Sequence, residues 1–329
     1  HPCDGGRRRK AGGLESSMEK ETIIRKFQVP EVGIPVLDVM LTAAEQELIA
    51  AFPEGKELRK EELADLADGM FPDRSAEGEE SSDIFLDTLF SRGILNKTAD
   101  GERYCLGSFY GRLDIFATDD TEIYDSLPRQ QKEALDGWYL DAYVESLGSS
   151  RRPTEDEVLP LDEVLRFIDG REDTPYLASC DCRRLIQNCD QPVKTCITYR
   201  TAPNSYVKRG LARAVTKEEA KEIVRMADRR GLIHTVNPGG ICSCCTDCCY
   251  LFRAAARRGS LGVWPKVTYR VELDKTLCVN CGLCRKRCRF SVFTQSGEVL
   301  VAAAGQCQGC GLCVTACPTG ALRLRKEEP

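Results

Sequence analysis

The chain has 329 residues, with 46 Lys or Arg, 51 Asp or Glu and a formal net charge of −5. At about 100 to 200 residues per domain, this length predicts two or three domains, and a 42% hydrophobic composition can supply a core for each. No apolar run approaches the roughly 18 to 20 residues that a membrane-spanning helix needs, and no secretory signal follows the N-terminal arginines. These features exclude membrane insertion and predict a cytoplasmic protein.

Charge is unevenly distributed along the chain. Residues 18–150 have a balance of −16, whereas residues 151–269 have +5 and residues 270–329 have +4. Because a nucleic-acid-binding surface needs basic groups that face phosphates, the acidic segment predicts no nucleic-acid ligand. Charge and cysteine content together divide the chain into a disordered leader (1–17, with Met18 as the natural start), an acidic helical domain (18–150), a Cys-rich middle domain (151–266) and a C-terminal domain (267–329).

The acidic domain is predicted to contain helices followed by a β-hairpin. Thr42 and Glu45 form a capping box ahead of apolar residues at helical spacing. Further helices are predicted near 58–67 and 83–91, and an Asp-Gly turn at residues 100–101 joins two short strands. This order resembles a winged helix, a scaffold that serves either as a DNA-binding or sensor module or as a small structural or docking domain, and charge favours the latter. A later helix, near residues 129–147, carries an aromatic stripe that we interpret as packing.

Cysteine is the most informative residue type, since the chain contains 19 cysteines. In a reducing cytoplasm, thiols at short spacings indicate metal or iron-sulfur sites rather than disulfides. Nine of them lie in residues 180–249, in two groups separated by a predicted helix that begins at the capping box of Thr216 and Glu219 and stops at Gly231. The nine are Cys180, Cys182, Cys189, Cys196, Cys242, Cys244, Cys245, Cys248 and Cys249.

Folding around that helix can bring the two groups together. We predict an additional iron-sulfur cluster there, with Cys182, Cys189, Cys196 and Cys244 as candidate ligands, because thiolate-dense pockets suit soft metals. A zinc site and redox-active thiols are the alternatives. The adjacent pairs Cys244-Cys245 and Cys248-Cys249 cannot all ligate one metal without strain, and His234 is interpreted as a structural histidine.

The eight C-terminal cysteines repeat one spacing twice. Each motif has intervals of two, two and three residues, and the two copies are offset by 29 residues, which indicates an internal duplication. Three thiolates at such intervals can wrap a loop around three iron corners of a cubane, and a glycine after the second cysteine permits a close approach to the cluster. The motifs are Cys278, Cys281, Cys284 and Cys288, then Cys307, Cys310, Cys313 and Cys317.

Residues 267–326 resemble the bacterial two-[4Fe-4S] ferredoxins on the strength of these motifs. The resemblance implies a pseudo-symmetric α+β module that transfers single electrons between two [4Fe-4S] clusters. In such modules the fourth cysteine of each motif ligates the other cluster. The implied ligands are Cys278, Cys281, Cys284 and Cys317 for the first cluster, and Cys307, Cys310, Cys313 and Cys288 for the second.

One departure from the repeat is Arg289, which stands where the second copy has Pro318. Its positive charge is predicted to raise the reduction potential of one cluster relative to the other. The basic run of residues 285–289 is either a docking surface for an acidic partner or a solvated helix face. Together with the cysteine elements at 180–183 and 241–245, the module also resembles a group of iron-sulfur proteins of anaerobes with about 300 residues.

The sequence therefore predicts an α+β iron-sulfur electron carrier with two [4Fe-4S] clusters, a third cluster in the middle domain and a protein redox partner. Neither a dinucleotide-binding nor a phosphate-binding glycine motif is present, so the clusters carry the chemistry. Two alternatives stay open, namely a reductase with a catalytic middle cluster and a redox-responsive regulator that uses the N-terminal domain.

Overall fold

The computed structural model describes residues 18–71 and 82–327, so the predicted leader lies outside the described residues. Contacts divide the chain into two compact units. The first comprises His1–Leu135 with Thr201–Leu211, and the second comprises Asp136–Arg200 with Ala212–Pro329. None of the helices in the described ranges is long and apolar enough to cross a membrane.

The first unit is mostly helical and has a small antiparallel sheet in which strands β1 and β2 both pair with β3. The predicted capping box of Thr42 and Glu45 is present. The next helix begins at Lys60 rather than at Leu58, because Leu58 pairs with Tyr104 in the sheet. The elements are α1 (18–26), a 3-10 helix (Glu31–Val36), α2 (Leu37–Met40), α3 (Ala43–Ala51), β1 (Leu58–Arg59), α4 (Lys60–Met70), α5 (Ser82–Ser91), β2 (Leu95–Lys97), β3 (Arg103–Leu106), α6 (Phe109–Thr118), α7 (Thr121–Ser126) and the start of α8 (Arg129–Ser146).

The second unit is built on a seven-stranded sheet that the sequence did not predict. Its strand order is β10-β4-β8-β9-β6-β5-β7, with antiparallel pairing except between β10 and β4. Helices α9 and α11 cover one face with apolar residues such as Val164, Ile168 and Val224. The elements are β4 (Glu157–Val158), α9 (Leu161–Asp169), β5 (Tyr176–Ser179), α10 (Asp181–Ile186), β6 (Lys194–Thr198), β7 (Arg213–Ala214), α11 (Lys217–Arg229), β8 (Ile233–Asn237), β9 (Gly240–Cys244), α12 (Tyr250–Arg257) and β10 (Lys266–Val267).

The C-terminal residues form a pseudo-symmetric module within the same unit. Two antiparallel strand pairs, β11 with β14 and β12 with β13, frame two short helices. As predicted, each helix is preceded by one strand and followed by another. The elements are β11 (Tyr269–Leu273), α13 (Leu283–Arg287), β12 (Phe293–Ser296), β13 (Glu298–Val301), a 3-10 helix (Ala304–Gln306), α14 (Leu312–Thr315) and β14 (Leu322–Lys326).

Side chains join this module to the rest of the second unit. The Arg287 guanidinium donates hydrogen bonds to the carbonyl oxygens of Asp228 (2.8 Å) and Arg229 (3.0 Å) at the end of α11, where the helix dipole favours a cation. The rings of Phe290 and Phe252 meet with their centroids 5.6 Å apart. The predicted boundary at residue 267 therefore lies inside one compact unit, and the three-domain division stays a prediction.

Candidate iron-sulfur and thiolate sites

Two cavities in the C-terminal module are each lined by four cysteines. The first is lined by Cys278, Cys281 and Cys284 from one motif and by Cys317 from the other. The second is lined by Cys307, Cys310 and Cys313 together with Cys288. Each cavity thus draws its fourth thiol from the opposite motif. Thiolates arranged around a cavity of this kind fit a cubane cluster.

Glycines allow the loops to close around these cavities. Gly282 and Gly311 have positive φ angles of 72° and 77° at the starts of α13 and α14. Gly309 has φ of 70°, and a Cβ atom there would lie 2.4 Å from the carbonyl oxygen of Tyr269. The Gly309 amide instead donates a hydrogen bond of 3.4 Å to the Cys307 sulfur. These positions accept only glycine without strain, and the amide favours a charged sulfur.

The two cavities differ in their exposure. Around the first, Leu277, Val279 and Leu283 are 49%, 63% and 39% exposed, and Cys281 is exposed as well. Cys307 and Cys313 of the second cavity are buried. Burial raises the pKa of Cys310 to about 12. The first set of cysteines therefore includes an exposed member beside exposed apolar side chains, whereas the second set has none that is exposed.

Six cysteines of the middle segment form a second constellation, which we call the thiol ring. Strand pairing brings them together, because β6 lies between β5 and β9 in the sheet. Cys196 lies on β6 one residue from Ile197, which pairs with Ile241 of β9. Cys242 and Cys244 follow at alternate positions on β9 and so point to the same face. Six cysteines each perturb the pKa of the next in a closed order, which places their side chains beside one another: Cys180, Cys182, Cys249, Cys244, Cys242 and Cys196.

Interactions from neighbouring thiols concentrate negative charge on two members of the thiol ring. Those from Cys196 and Cys244 lower the pKa of Cys242 to about 6. Those from Cys182 and Cys244 hold the pKa of Cys249 well below its usual value, aided by backbone amides at the start of α12. The pKa of Cys244 is raised in return because its proton is shared with Cys242 and Cys249. Cys242 and Cys249 are therefore favoured as thiolates, the form of cysteine that binds metals, whereas the pKa values of the other four ring thiols are raised.

Three further cysteines form a separate group, which we call the thiol trio. The Cys189 sulfur lies 3.7 Å from that of Cys245 and 3.6 Å from that of Cys248. All three sulfurs are within 4.8 Å of one another. A hydrogen bond from Cys248 lowers the pKa of Cys245 to about 5. The run Cys244-Cys245-x-x-Cys248-Cys249 is thus divided, with its outer cysteines in the ring and its inner cysteines in the trio.

The Arg183 guanidinium interacts with both groups. It is buried and donates hydrogen bonds to the Ser243 carbonyl (2.8 Å) and the Thr195 hydroxyl (3.2 Å). Burial opposes its charge, yet electrostatic interactions with the Cys180 and Cys245 side chains raise its pKa overall. The Arg183 cation therefore offsets negative charge in both the ring and the trio. The sequence alone does not decide this role, because it does not show which thiols lie near Arg183.

The four predicted middle-domain ligands do not all fall in one group. Cys182, Cys196 and Cys244 occupy alternate positions of the thiol ring, whereas Cys189 belongs to the trio. Cys180, Cys242 and Cys249 complete the ring but were not among the predicted ligands. The Cys-x-Cys elements at 180–182 and 242–244 signal the first two and the adjacent pair 248–249 signals the third, but only strand pairing decides which thiols meet.

His234 lies outside both thiol groups. It is fully buried, and its Nδ1 atom is 3.3 Å from the Ser243 hydroxyl across the β8-β9 pair. Burial lowers the pKa of His234 to about 4, so its imidazole is neutral. His234 is not in either group of side chains among the described residues that could hold a metal ion. The geometry is that of a structural histidine.

Comparisons with known proteins identify the C-terminal module. Residues 277–322 match the family model described as a 4Fe-4S dicluster domain. An uncharacterized ferredoxin of Methanocaldococcus jannaschii is 38% identical over 60 residues, which are 17% of this chain and 97% of that protein. No solved structure matches the chain.

Two further relatives are each named pyruvate synthase subunit PorD. The one from Methanothermobacter marburgensis is 28% identical over 22% of this chain and 85% of its own length. The one from Thermotoga maritima is 33% identical over 22% of this chain and 72% of its own length. These matches span a small share of the chain but most of each relative. Through its C-terminal module, the chain belongs to the family of ferredoxins with two 4Fe-4S clusters.

Proposed function

We propose that this protein relays single electrons between an external redox protein and a third iron-sulfur centre in the thiol ring, by way of two [4Fe-4S] clusters. The observation that carries the proposal is the composition of the two cavities. Each is lined by three cysteines of one motif and the fourth of the other, the arrangement that two-cluster ferredoxins require. When bound, each cluster accepts and donates one electron.

The protein would supply ligation, insulation and charge. Cys278, Cys281, Cys284 and Cys317 would hold the first cluster, and Cys307, Cys310, Cys313 and Cys288 the second. Apolar side chains such as Leu273 and Val299 line the first cavity, and Phe290 and Val292 line the second. A low local dielectric strengthens the interaction of loop amides with the sulfurs they approach.

We place the third centre in the thiol ring. Cys182, Cys196 and Cys244 occupy alternate positions of the thiol ring, so one other thiol lies between each of them and the next. This spacing suits a cubane, because the ligands of its four irons must lie apart from one another. The fourth ligand would come from the remaining thiols of the ring. Soft, thiolate-rich sites of this kind favour iron-sulfur clusters.

A contact path supports electron exchange between the ring and the second cluster. Phe290 lines the second cavity and packs against Phe252. Phe252 lies on α12, whose N-cap residue is Cys249 of the ring. The second cluster would therefore face inward, whereas the first, beside exposed Leu277 and Val279, would exchange electrons with the partner. Exposed apolar surface of this kind is a feature of protein interaction sites.

The relatives suggest the class of the partner. Two of them are subunits of pyruvate synthase, so an oxidoreductase is the partner class we propose for this chain. Arg287 is engaged with α11 and is not available to such a partner, but Arg285, Lys286 and Arg289 are exposed. A partner with an acidic rim would complement them.

We propose that the first unit is a winged-helix scaffold for docking rather than for binding nucleic acid. The order α3-β1-α4-α5-β2-β3, with β1 and β2 both paired to β3, supports the scaffold. The exposed side chains of α5 include Asp83, Ile84 and Asp87. An acidic and apolar helix face opposes contact with phosphates.

A second candidate function is a reductase whose substrate reaches the ring. It is favoured by one observation, namely that Cys242 of the ring is exposed. A ring centre that serves as an electron carrier should keep its spectrum when small anionic or thiol ligands are added. A spectral change that depends on Cys242 would favour the reductase.

Iron counting tests the main proposal. Protein purified without oxygen should contain about twelve irons per chain, four for each of three cubanes. The double variant Cys182→Ser/Cys244→Ser should lose about four of them and retain both spin-resonance signals of the C-terminal clusters, and Cys105→Ser serves as the matched control. About eight irons in the parent protein would contradict the third centre, and colourless protein would contradict the whole proposal.

The electron path has its own test. Phe252→Leu keeps an apolar side chain but removes the aromatic contact with Phe290. After rapid reduction of the first cluster, the middle centre should therefore be reduced more slowly than in the parent protein. Phe167→Leu, at a ring contact elsewhere in the unit, is the control. Equal rates in the parent protein and the Phe252 variant would show that the path runs elsewhere.

A further inference from the structure

We infer that the thiol trio of Cys189, Cys245 and Cys248 binds a single zinc ion, separate from the iron-sulfur centres, and leaves its fourth coordination position to an exogenous small thiol. The inference goes beyond the proposed electron relay and does not depend on it. Spacing, enclosure and charge around the three sulfurs carry it.

The spacing of the sulfurs fits one tetrahedral ion. Zinc binds thiolate sulfur at about 2.3 Å, so two sulfurs on one zinc ion lie about 3.8 Å apart along the edge of a tetrahedron. The Cys189 sulfur lies 3.7 Å from that of Cys245 and 3.6 Å from that of Cys248. One ion can therefore bind all three thiolates with little movement of the chain.

The C-terminal cysteines provide the contrast within the same molecule. There the four thiols of each set line a cavity, and among the described residues no three C-terminal cysteines have their sulfurs within 4.8 Å of one another, a separation that suits an inorganic cube between them. The trio sulfurs touch one another instead, and the surrounding side chains of Ile186, Ala227 and Leu232 close around them. A four-iron cluster would have to push these three thiols apart, whereas a single ion would not.

The trio is also distinct from the thiol ring. The Cys189 sulfur contacts those of Cys245 and Cys248, and among the described residues no ring cysteine joins their group of sulfurs within 4.8 Å. The two inner cysteines of the run 244–249 turn away from the two outer ones. The strain of ligating one metal with adjacent cysteines is thereby avoided.

The protein supplies three ligands to this site. Among the described residues, no fourth His, Cys, Asp or Glu joins the group of three sulfurs. Cys245 and Cys248 are buried, whereas Cys189 is partly exposed, so solvent reaches the site from the Cys189 side. Zinc sites with three protein ligands keep the fourth position for water or substrate, unlike closed structural sites.

Softness indicates the exogenous ligand. Three thiolates and one Zn²⁺ leave one negative charge, which the buried Arg183 cation beside Cys245 offsets. A soft site with apolar walls favours a sulfur ligand over a carboxylate. On binding, the thiol would displace the zinc-bound water and release its proton to solvent, with no change of oxidation state.

Metal analysis of the full-length protein tests the inference. Protein prepared without oxygen should contain about one zinc per chain in addition to its iron. Cys189→Ser, Cys245→Ser and Cys248→Ser should each reduce zinc at least five-fold and leave the iron count and the cluster spin-resonance signals unchanged. Cys105→Ser, a cysteine of the first unit, should retain the zinc.

A cobalt probe tests the open position. Replacement of zinc by Co²⁺ should give visible bands of tetrahedral thiolate coordination, and these should shift when 2-mercaptoethanol is added to the parent protein. Loss of about four irons in the trio variants, or retention of zinc in all three, would overturn the inference. If the cobalt bands did not shift on addition of 2-mercaptoethanol, the fourth coordination position would not be open to a thiol. Because the readouts are zinc and cobalt, failure here is distinguishable from failure of the iron-based relay.

Discussion

The composition of the two C-terminal cavities makes a strong prediction about Cys288. Although Cys288 belongs to the first motif, it lines the second cavity with Cys307, Cys310 and Cys313. Cys288→Ser should therefore damage the second cluster and spare the first. Cys281→Ser and Cys310→Ser provide reference variants for loss of the first and second clusters, and the spin-resonance spectrum of Cys288→Ser should match that of Cys310→Ser.

The magnitude follows from four irons per cubane, or about eight in the module. The double variant Cys288→Ser/Cys310→Ser removes two ligands of one cluster, so it should lose at most about four irons. Cys288→Ser/Cys281→Ser removes one ligand from each and can lose up to about eight. Anaerobic iron and sulfide analysis with redox titration measures both. If Cys288→Ser matched Cys281→Ser, ligation would be local to each loop and the reasoning from the cavities would be refuted.

Three other predictions concern single side chains. Gly309→Ala should lower the free energy of unfolding by about 1 to 3 kcal/mol and reduce the iron content of the second cluster. The reason is that the φ angle of Gly309 is 70° and the new Cβ would meet the Tyr269 carbonyl. Thermal unfolding measures the first effect and iron analysis the second. Arg289→Gln should lower the reduction potential of the second cluster in a redox titration, since it removes a cation next to Cys288. The pKa of His234 is about 4 in the folded protein and 6.5 in the unfolded chain. The neutral imidazole therefore makes its full contribution to the free energy of unfolding above pH 6.5, and this contribution is lost as the pH falls toward 4. Over that interval the parent protein should lose about 3 kcal/mol more than His234→Phe in urea unfolding, and parallel pH profiles would show that His234 does not titrate in this way.

Local interactions explain what could be predicted from the sequence. Capping boxes at Thr42 and Thr216 and the stop at Gly231 involve residues within one or two turns of a helix, and the structure confirms each of them. The same holds for the repeated cysteine spacing, because a loop of seven residues fixes where three thiols can point. The α+β character and the ferredoxin module follow from such short-range patterns.

Pairing between distant strands decided the rest. Cys196 and Cys242 meet because β6 and β9 are neighbours in the sheet, although more than forty residues separate them along the chain. The division of the nine middle thiols into a ring and a trio likewise depends on β9 ending at Cys244 and α12 beginning after Cys249. The sequence by itself determined which residues could bind metal and where the ferredoxin repeat lies, since both depend on short spacings. Only the tertiary structure decided which thiols share a centre, because register between strands is set by packing of the whole sheet.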